Sequence, residues 1–268
     1  MAPFRTILSL FITWMFEMHL VKGLTSTPKL RIQPRLRYPG SSKFRFSPLN
    51  SVEKDREEDG QSEEWLSSTT VAMALSGALL GPNLDNFHSA FGVLQYASPI
   101  ILRSPFDGSV LLTTAAFTPP LFGLAAIIIG GLYVFIDEKL GLPLETKLPS
   151  LALVVAGIFY FCLQYWFSGL LCSLCCSLLQ LHVALAATMV MAFLLFDRSV
   201  TGVIVGVATG IGGPLIELFL INQLHLYSYT QADFFGIDSW IPWVYGAGAP
   251  AVGNLARAFK SYFSTLRE

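Results

Sequence analysis

The chain has 268 residues, of which 53% are hydrophobic and 13% charged, and its formal net charge is −1. This composition fits one membrane domain. No basic face accumulates outside the N-terminal segment, so the sequence predicts no nucleic-acid partner. All four cysteines lie in apolar sequence, which argues against a disulfide framework.

Residues 1–52 form a basic leader, in which eight lysines and arginines accompany a single acid, Glu17. An acid-poor segment with Arg and Ser is typical of an organelle transit peptide, while the apolar run Ile7 to Val21 is typical of a signal-peptide core. We therefore predict a targeting segment, with a plastid membrane favoured and the endoplasmic reticulum membrane as the alternative; an uncleaved amphipathic anchor is a third interpretation. Residues 53–68 are acidic and are predicted to be a disordered, solvated linker.

A transmembrane domain is predicted at residues 69–262, followed by a short tail at 263–268. From Leu148 to Phe196 the chain has no Asp, Glu, Lys or Arg. As one helix, this stretch would be roughly 73 Å long at about 1.5 Å per residue, against a hydrocarbon layer of about 30 Å. It must therefore fold back, and the cluster of Gly, Ser and Cys from Gly169 to Ser177 is the predicted turn.

Six hydrophobic segments in this domain predict an all-α bundle of six transmembrane helices. They are Val71 to Gln95, Val110 to Ile136, Ser150 to Leu171, Cys175 to Phe196, Thr201 to Leu226 and Ser239 to Phe259. Six spans place both ends of the domain on the side that carries Lys139, Lys147, Arg198, Arg257, Lys260 and Arg267, whereas the opposite side has only Arg103. The positive-inside rule then orients both termini toward the cytosol or stroma. Small residues that recur within the spans are assigned to close helix packing.

Ionisable side chains inside the bilayer are costly and need a partner, a cavity or a place near the interface. Asp85 and His88 lie three residues apart, on one helical face, and predict either a polar pocket or an interfacial loop if Pro82 breaks the first span. Glu217 follows the helix-loosening residues 212–214 in the fifth span. It is expected either to bond a neighbouring helix or to face a cavity.

Other polar groups in the spans give weaker signals. Gln164 and Gln180 predict either hydrogen bonds between helices or a bond to a lipid hydroxyl. His182, like His88, lacks the paired motif of a haem or pigment ligand, and the CxxC at Cys172 lacks a second pair. We therefore predict no metal site and no cofactor, and the common hydrolase and phosphate-loop motifs are missing from the sequence.

Several separated motifs between residues 93 and 258 occur in a defined order and spacing. They are Thr118-Pro119-Pro120, Gly131-Leu132-Tyr133, Ile136-Asp137, Phe196-Asp197-Arg198-Ser199, Asp233-Phe234, Ser239-Trp240-Ile241-Pro242 and Gly253-Asn254-Leu255 with Arg257. Together they resemble the loops and helix ends of the Insig (insulin-induced gene) family. The leader lies outside the resemblance.

The resemblance implies a six-helix bundle of Insig type and a non-enzymatic regulator. Animal members of the family are endoplasmic reticulum proteins that bind oxysterol and hold a sterol-sensing escort protein and a sterol-synthesis reductase. Bacterial relatives bind diacylglycerol in a central cavity. The implied partners of this chain are a sterol-like or diacylglycerol-like membrane lipid and another polytopic membrane protein.

The resemblance also assigns residues. Asp197 matches a loop aspartate that animal members need to hold their partner, and Gln180 matches a glutamine linked to sterol binding. Phe193 stands where the animal family has a tryptophan, and Glu217 has no counterpart there. We expect Gln164, Gln180, Phe193 and Glu217 to contact the lipid and Asp197 to serve partner binding.

Structural roles are expected for a further set, namely Tyr133, Asp137, Asp233, Trp240, Pro242, Asn254 and Arg257. Asp137 and Asp233 are expected to hold loops, and Trp240, with Trp243 and Tyr245, to form an interfacial aromatic anchor. Because Arg198 is adjacent to Asp197 and not a helical turn away, Asp197 is also a candidate cap of the fifth span.

Two other functions stay open. A small transporter or channel would use Asp85, His88 and Glu217 as a polar path across the membrane. A lipid-modifying enzyme would use Glu217 or His88 as a general base, but the sequence shows neither a nucleophile motif nor a metal motif to accompany it.

Overall fold

The computed structural model describes residues 50–141, 148–174 and 176–266, with side chains from residue 68 onward. The chain divides into two units, Met1–Glu64 and Trp65–Glu268, and all packing reported below belongs to the second unit. Apart from its last three residues, the predicted leader lies outside the described residues. Its targeting role therefore stays a prediction.

Six helices and four short strands make up the described chain. The helices are α1 (Asn50–Ala90), α2 (Thr118–Lys139), α3 (Leu151–Ser173), α4 (Leu178–Phe196), α5 (Val200–Asn222) and α6 (Ile241–Thr265). The strands form two antiparallel pairs, β1 (Leu94–Tyr96) with β4 (Tyr227–Tyr229) and β2 (Ile100–Arg103) with β3 (Val110–Thr114).

Four helices, α2, α3, α4 and α5, are long and apolar enough to cross a membrane, among the residues described. The predicted turn between the third and fourth spans is confirmed, since α3 ends at Ser173 and α4 begins at Leu178. Ser177 caps α4 through a reciprocal bond pattern with Gln180. Helices α1 and α6 occupy the first and last predicted spans but fall outside this set of four, so the count of six membrane crossings stays a prediction.

Three predicted boundaries were wrong. The second span does not begin at Val110, because Val110–Thr114 is strand β3 and α2 begins at Thr118, with proline in its first turn. Pro82 does not end α1, which continues to Ala90. Helix α6 extends to Thr265, past the predicted end of the domain at residue 262.

The acidic stretch at residues 53–68, predicted as a disordered linker, lies within helix α1. Its Glu, Lys, Arg and Gln residues have high helix propensity, so a polar segment that cannot build a core can still continue a helix. Composition alone therefore gave the wrong backbone conformation for this segment.

Helix α6 is the central element, packed against α2, α3, α4 and α5. Three glycines of α6 each contact a side chain from a different neighbouring helix. Gly246 contacts Met189 of α4, Gly248 contacts Phe161 of α3, and Gly253 contacts Tyr133 of α2. A Cβ at any of these glycines would overlap that side chain. The prediction that small residues permit close packing is confirmed here.

Candidate functional site

The first candidate site is a cluster of buried charges where the C-terminal ends of α2, α4 and α6 meet the start of α5; we call it the charged end. Arg257 donates to both carboxylate oxygens of Asp137, from Nε to Oδ2 at 2.6 Å and from Nη2 to Oδ1 at 3.0 Å. Its Nη1 donates to Asp197 Oδ1 at 3.1 Å. The exposed fractions of the three side chains are 3%, 9% and 1%, so the ion pairs are screened from water.

Uncharged groups complete the cluster. The Tyr133 hydroxyl donates to Asp197 Oδ2 at 2.9 Å, and its ring lies 4.9 Å from the guanidinium carbon of Arg257. Thr201 Oγ1 donates to Asp137 Oδ1 at 2.6 Å, and Asn254 Oδ1 accepts from Arg257 at 3.2 Å. Four helices are therefore joined through one guanidinium, which is the arrangement that makes buried charge tolerable.

Asp197, the predicted partner-binding residue, lies inside this cluster and not at the protein surface. It does not cap α5, because Ser199 does so by accepting a bond from the Gly202 N–H at 2.9 Å. Arg198, between them, is exposed and has a left-handed backbone with φ of 59°. Asp197 can thus hold the shape of this short loop, while Arg198 is the side chain the loop presents outward.

At the opposite end of the bundle, which we call the loop end because it carries the four strands, Glu217 binds two tyrosines. The Tyr229 hydroxyl lies 3.0 and 2.8 Å from the two carboxylate oxygens, and the Tyr245 hydroxyl donates to Oε1 at 2.7 Å. Burial, then the nearby Glu217 carboxylate, raises the pKa of Tyr229 well above its usual value, so this hydroxyl stays protonated and acts as a donor. Glu217 therefore ties α5 to β4 and α6.

Asp85 and His88 are also bonded within the protein. Asp85 Oδ2 accepts from the Tyr96 hydroxyl at 3.0 Å, and His88 Nε2 lies 2.8 Å from Ser168 Oγ. The His88 ring packs 4.9 Å from the ring of Tyr165, and the residue is 2% exposed. Each group that the transporter alternative requires is held by neighbouring side chains, and that alternative is not favoured.

His182, Ser239 and Asp233 form a hydrogen-bonded chain that resembles a hydrolase triad only in composition. Trp243 Nε1 donates to His182 Nδ1 at 2.9 Å, so in the neutral ring the proton lies on Nε2, which faces Ser239 Oγ at 3.0 Å. Ser239 Oγ in turn donates to Asp233 Oδ2 at 2.6 Å. The serine proton thus points to the carboxylate and not to the histidine, the reverse of an activated nucleophile.

The four predicted lipid contacts do not converge. Gln180 is exposed and occupied by the α4 cap, while Phe193 is half-buried and about 20 Å further along the same helix. Gln164 is 2% exposed, with its Nε2 3.5 Å from the Leu185 carbonyl, and Glu217 is engaged by the tyrosines. Their role as lipid contacts stays a prediction.

The predicted aromatic anchor is wrong for Trp240, which is 2% exposed and packs edge-on against His88 at 5.7 Å. Tyr245 and Trp243 are half-buried and use their polar atoms inside the protein. Pro242 stands in the first turn of α6, where a missing N–H costs nothing.

Asp238 is a candidate residue that the sequence did not single out. It is 2% exposed, and its Oδ2 has no hydrogen-bond partner among the described residues. The sequence did contain a signal for Asp238, because this acid lies directly before a predicted span and beside the Ser239-Trp240 motif. Asp238 lines a cavity of about 180 Å³ at the loop end.

A second cavity at the loop end, of about 500 Å³, is mostly apolar. It lies between the start of β2, the segment before α2 and the end of the α5–β4 connection; its lining comprises residues 97–100, 115–117 and Leu226. Its volume falls in the range of roughly 300–1,000 Å³ that is usual for small-molecule sites.

These elements define a polytopic α-helical membrane protein. No family model matches the chain. It is 28% identical over 206 residues to the insulin-induced gene 1 protein of Gallus gallus, covering 74% of this chain and 75% of that protein. It is 29% identical to the Gallus gallus insulin-induced gene 2 protein over 175 residues, and 31% identical to the human insulin-induced gene 1 protein over 154 residues. These matches confirm the resemblance of the chain to the Insig family.

The extent of these matches differs between relatives. The alignment covers 63% of this chain and 74% of the chicken gene 2 protein, but 56% of this chain and 52% of the human protein. The chain thus spans about half the length of the human relative.

The fold has solved counterparts. A crystal structure of MvINS, a mycobacterial Insig homolog from Mycobacterium vanbaalenii, matches with a TM-score of 0.57 at 19% identity, covering 72% of this chain and 94% of that one. A cross-linked MvINS trimer matches with a TM-score of 0.56 at 20% identity. At this identity, the likeness establishes the fold.

Proposed function

We propose that this protein is a non-enzymatic, lipid-binding regulator that docks on another polytopic membrane protein. Similarity to the Insig proteins is the observation that carries the proposal. The ligand class is a lipid with a large apolar part and a small polar head, of the sterol or diacylglycerol kind. Ligand and partner would each alter the affinity of the other through the shared bundle.

The apolar cavity at the loop end supports lipid binding, because its volume of about 500 Å³ and its Ala, Pro, Ile, Phe and Leu lining suit a hydrocarbon group. The reversed polarity of the His182–Ser239–Asp233 chain supports binding over turnover.

Partner docking is proposed at the charged end, through the loop that Asp197 holds. Since the Asp197 side chain is 1% exposed, it acts by fixing the position of Arg198 and the first turn of α5. Substitution of Asp197 would then weaken docking without removing a direct contact.

Lipid extraction of the purified protein, followed by mass spectrometry, tests the first half of the proposal. We expect a lipid at near-stoichiometric amount and an increase in melting temperature on adding cholesterol, an oxysterol or dioctanoylglycerol. Recovery of no lipid, together with no thermal shift by any of these, would contradict lipid binding. Intact added lipid after prolonged incubation is expected, and its chemical conversion would contradict a non-enzymatic role.

Docking is tested by crosslinking the tagged protein in its native membrane and comparing the wild type with Asp197→Ala. A crosslinked membrane-protein partner that is lost in Asp197→Ala but kept in Lys260→Ala would support the proposal. Equal recovery with both variants would contradict a role for the Asp197 loop.

The compartment is proposed from the leader, residues 1–52, whose composition favours plastid import over the endoplasmic reticulum. Imaging a C-terminal fluorescent fusion, which leaves the leader free, separates the two. Fluorescence in the endoplasmic reticulum would contradict plastid import and place the protein where the animal members of the family act.

A further inference from the structure

The small cavity at the loop end combines a buried acceptor with an apolar entrance. It is lined by Cys172, Cys176, Leu178, Leu181, Gln231, Asp233, Asp238 and Trp240. These residues come from the end of α3, the start of α4 and the segment before α6. The cavity is therefore distinct from the charged cluster and from the larger apolar cavity.

Two acids line this cavity, and among the described residues only Asp238 has a carboxylate oxygen without a hydrogen-bond partner. Asp233 uses both oxygens on Ser239, accepting from the backbone N–H at Oδ1 and from the hydroxyl at Oδ2, each at 2.6 Å. Asp238 Oδ2 has no partner, although the residue is 2% exposed. Leaving such a buried acceptor unpaired is energetically costly, so a ligand that donates a hydrogen bond there is favoured over an empty cavity.

The size of the cavity limits what can enter. At about 180 Å³ it is smaller than the range of roughly 300–1,000 Å³ found for whole drug-sized ligands. It can hold the polar head of a lipid but not its hydrocarbon body. The body must lie outside the cavity.

The entrance offers an apolar surface for that body. Leu178 lines the cavity and is also 47% exposed, so the cavity wall is continuous with the outer surface of α4. Further along this surface, Leu179 and Val183 are 72% and 62% exposed. Since α4 is one of the helices apolar enough to span a membrane, this surface is where a lipid chain would lie.

We propose that this cavity binds the hydroxyl head of a neutral lipid alcohol, which donates a hydrogen bond to Asp238 Oδ2 while its hydrocarbon body lies along Leu178 and the outer face of α4. The site deepens the proposed function and rests on it, because it supplies the polar anchor of the lipid that the regulator would sense. A sterol and a diacylglycerol share the required chemistry.

The chemistry of the cavity favours a hydroxyl over a cation. Leu178, Leu181 and Trp240 are apolar, and the two carboxylates are not joined by a third acidic ligand; no group of three metal-ligating side chains occurs in the described parts of the chain. Burial, with a contribution from Asp233, raises the pKa of Asp238 to about 7, which weakens its hold on a cation near neutral pH. A single hydroxyl satisfies the one acceptor.

Gln180, the residue predicted to meet the lipid hydroxyl, is close to this site in sequence, but its side-chain oxygen is already engaged. Its side-chain oxygen accepts from both the backbone N–H and the hydroxyl of Ser177, at 2.9 and 3.0 Å. Asp238 therefore takes the role that the sequence assigned to Gln180.

The test measures binding to the full chain in detergent, by native mass spectrometry and thermal shift. The probes are dioctanoylglycerol and cholesterol, each paired with its O-methyl ether, which keeps the shape but cannot donate. Stearylamine and calcium chloride serve as cationic probes. We expect at least one alcohol to bind the wild type at least tenfold more tightly than its ether, and the better alcohol identifies the source.

Two variants assign the effect to this cavity. Asp238→Leu removes the acceptor and should weaken alcohol binding at least tenfold, equivalent to about 1.4 kcal/mol, while Asp238→Asn keeps an acceptor and should retain most of it. Cys176→Phe fills the cavity and leaves the Asp238 side chain unchanged, so it should also abolish binding. This second variant keeps the test valid if Asp238→Leu fails to fold. Lys260→Ala, at the charged end, is the control and should bind as the wild type does.

Three results would overturn the site. They are equal binding of alcohol and ether by the wild type, unchanged alcohol binding in Asp238→Leu or Cys176→Phe, and stabilisation by stearylamine or calcium alone. If the wild type binds an alcohol but these variants bind it equally well, the site assignment fails while the proposed function survives. If the wild type binds no lipid by either method, both fail.

Discussion

Arg257 on α6 and Asp137 on α2 form two parallel hydrogen bonds, at 2.6 and 3.0 Å, between groups separated by 120 residues in the chain. The second carboxylate of the cluster, that of Asp197, accepts a third hydrogen bond from the same guanidinium. Only a planar fork with donors on three nitrogens can serve both acids at once. This pair is therefore the main polar connection between the helices at the charged end.

Replacing Arg257 should be severely destabilising. Arg257→Ala leaves two buried carboxylates uncompensated, for which we expect a loss of about 3–5 kcal/mol in the free energy of unfolding. Arg257→Lys keeps the charge but loses the bidentate bond, and we expect an intermediate loss. Thermal unfolding in detergent measures both.

Lys260→Ala is the matched control for Arg257. Lys260 pairs with Glu138 one turn further along α6, but the Glu138 side chain is 55% exposed. Because one partner of this pair is exposed to solvent, its loss should cost clearly less than the loss of Arg257. Similar melting temperatures for Arg257→Ala and Lys260→Ala would show that the buried cluster contributes little.

Gly202 is expected to be essential to the same cluster. A Cβ at this position would overlap the carboxylate of Asp197, so Gly202→Ala should push that group away from Arg257 and Tyr133. We expect a loss of about 1–3 kcal/mol, measured by thermal unfolding, together with loss of partner crosslinking.

The control for Gly202 lies one turn along the same helix. At Gly206, the nearest atom to an added Cβ is a carbonyl oxygen at 3.8 Å, which is ordinary contact. Gly206→Ala should therefore leave stability unchanged or raise it by up to about 1 kcal/mol through helix propensity. If both alanines behave alike, the position of Asp197 does not depend on Gly202.

The tyrosine pair on Glu217 is expected to be structural. Tyr245→Phe leaves Oε1 with one fewer donor, and Tyr229→Phe removes a donor that contacts both oxygens, so each should cost about 1–3 kcal/mol. Tyr262→Phe, also on α6, is the control, because Tyr262 is half-buried near the opposite end of that helix, away from Glu217. Unchanged stability in Tyr245→Phe would contradict this role.

Stability should depend on pH through Asp238. Burial raises its pKa from the ordinary 3.8 to about 7, so between these pH values the native protein holds a proton that the unfolded chain releases. Stability of the lipid-free protein should therefore fall as the pH rises from about 4 to 7, on the order of 1–3 kcal/mol in total. Above pH 7 this contribution should be constant.

Asp238→Asn isolates that contribution, because every other ionisable group is the same in the variant and the wild type. The difference in melting temperature between variant and wild type should grow across the interval from pH 4 to 7, with the variant more stable at pH 7. A difference that is independent of pH would contradict the assignment to Asp238.

Much of the helix framework is predictable from local pattern. The charge-free stretch from Leu148 to Phe196 required a fold-back, and the turn between α3 and α4 lies where Gly, Ser and Cys cluster. Strand β3 was missed because Val110–Thr114 continues directly into apolar sequence, and apolar runs of this length do not distinguish strand from helix. Helix α1 continued past Pro82 because a single lost backbone bond does not end a helix of 41 residues.

The side-chain contacts at the sites could be predicted less well from local sequence patterns. Tyr133, Asp137, Asp197, Asn254 and Arg257 were each noticed as separate motifs, but nothing local indicates that one guanidinium joins them. Glu217 and Asp85 stand out in the sequence as unusual, yet Tyr229 and Tyr96, which donate to them, lie in strands that the sequence did not predict.

Apolar composition and charge distribution are sufficient to establish that this chain is a helical membrane protein, and its motifs are sufficient to reveal the resemblance to the Insig family, because both properties lie in short stretches of sequence. Which carboxylates are paired, and that Asp238 is left with an unused oxygen, depends on side chains brought together from distant parts of the chain. Burial makes these contacts important for stability, because a polar group removed from water is costly unless it is paired with another group.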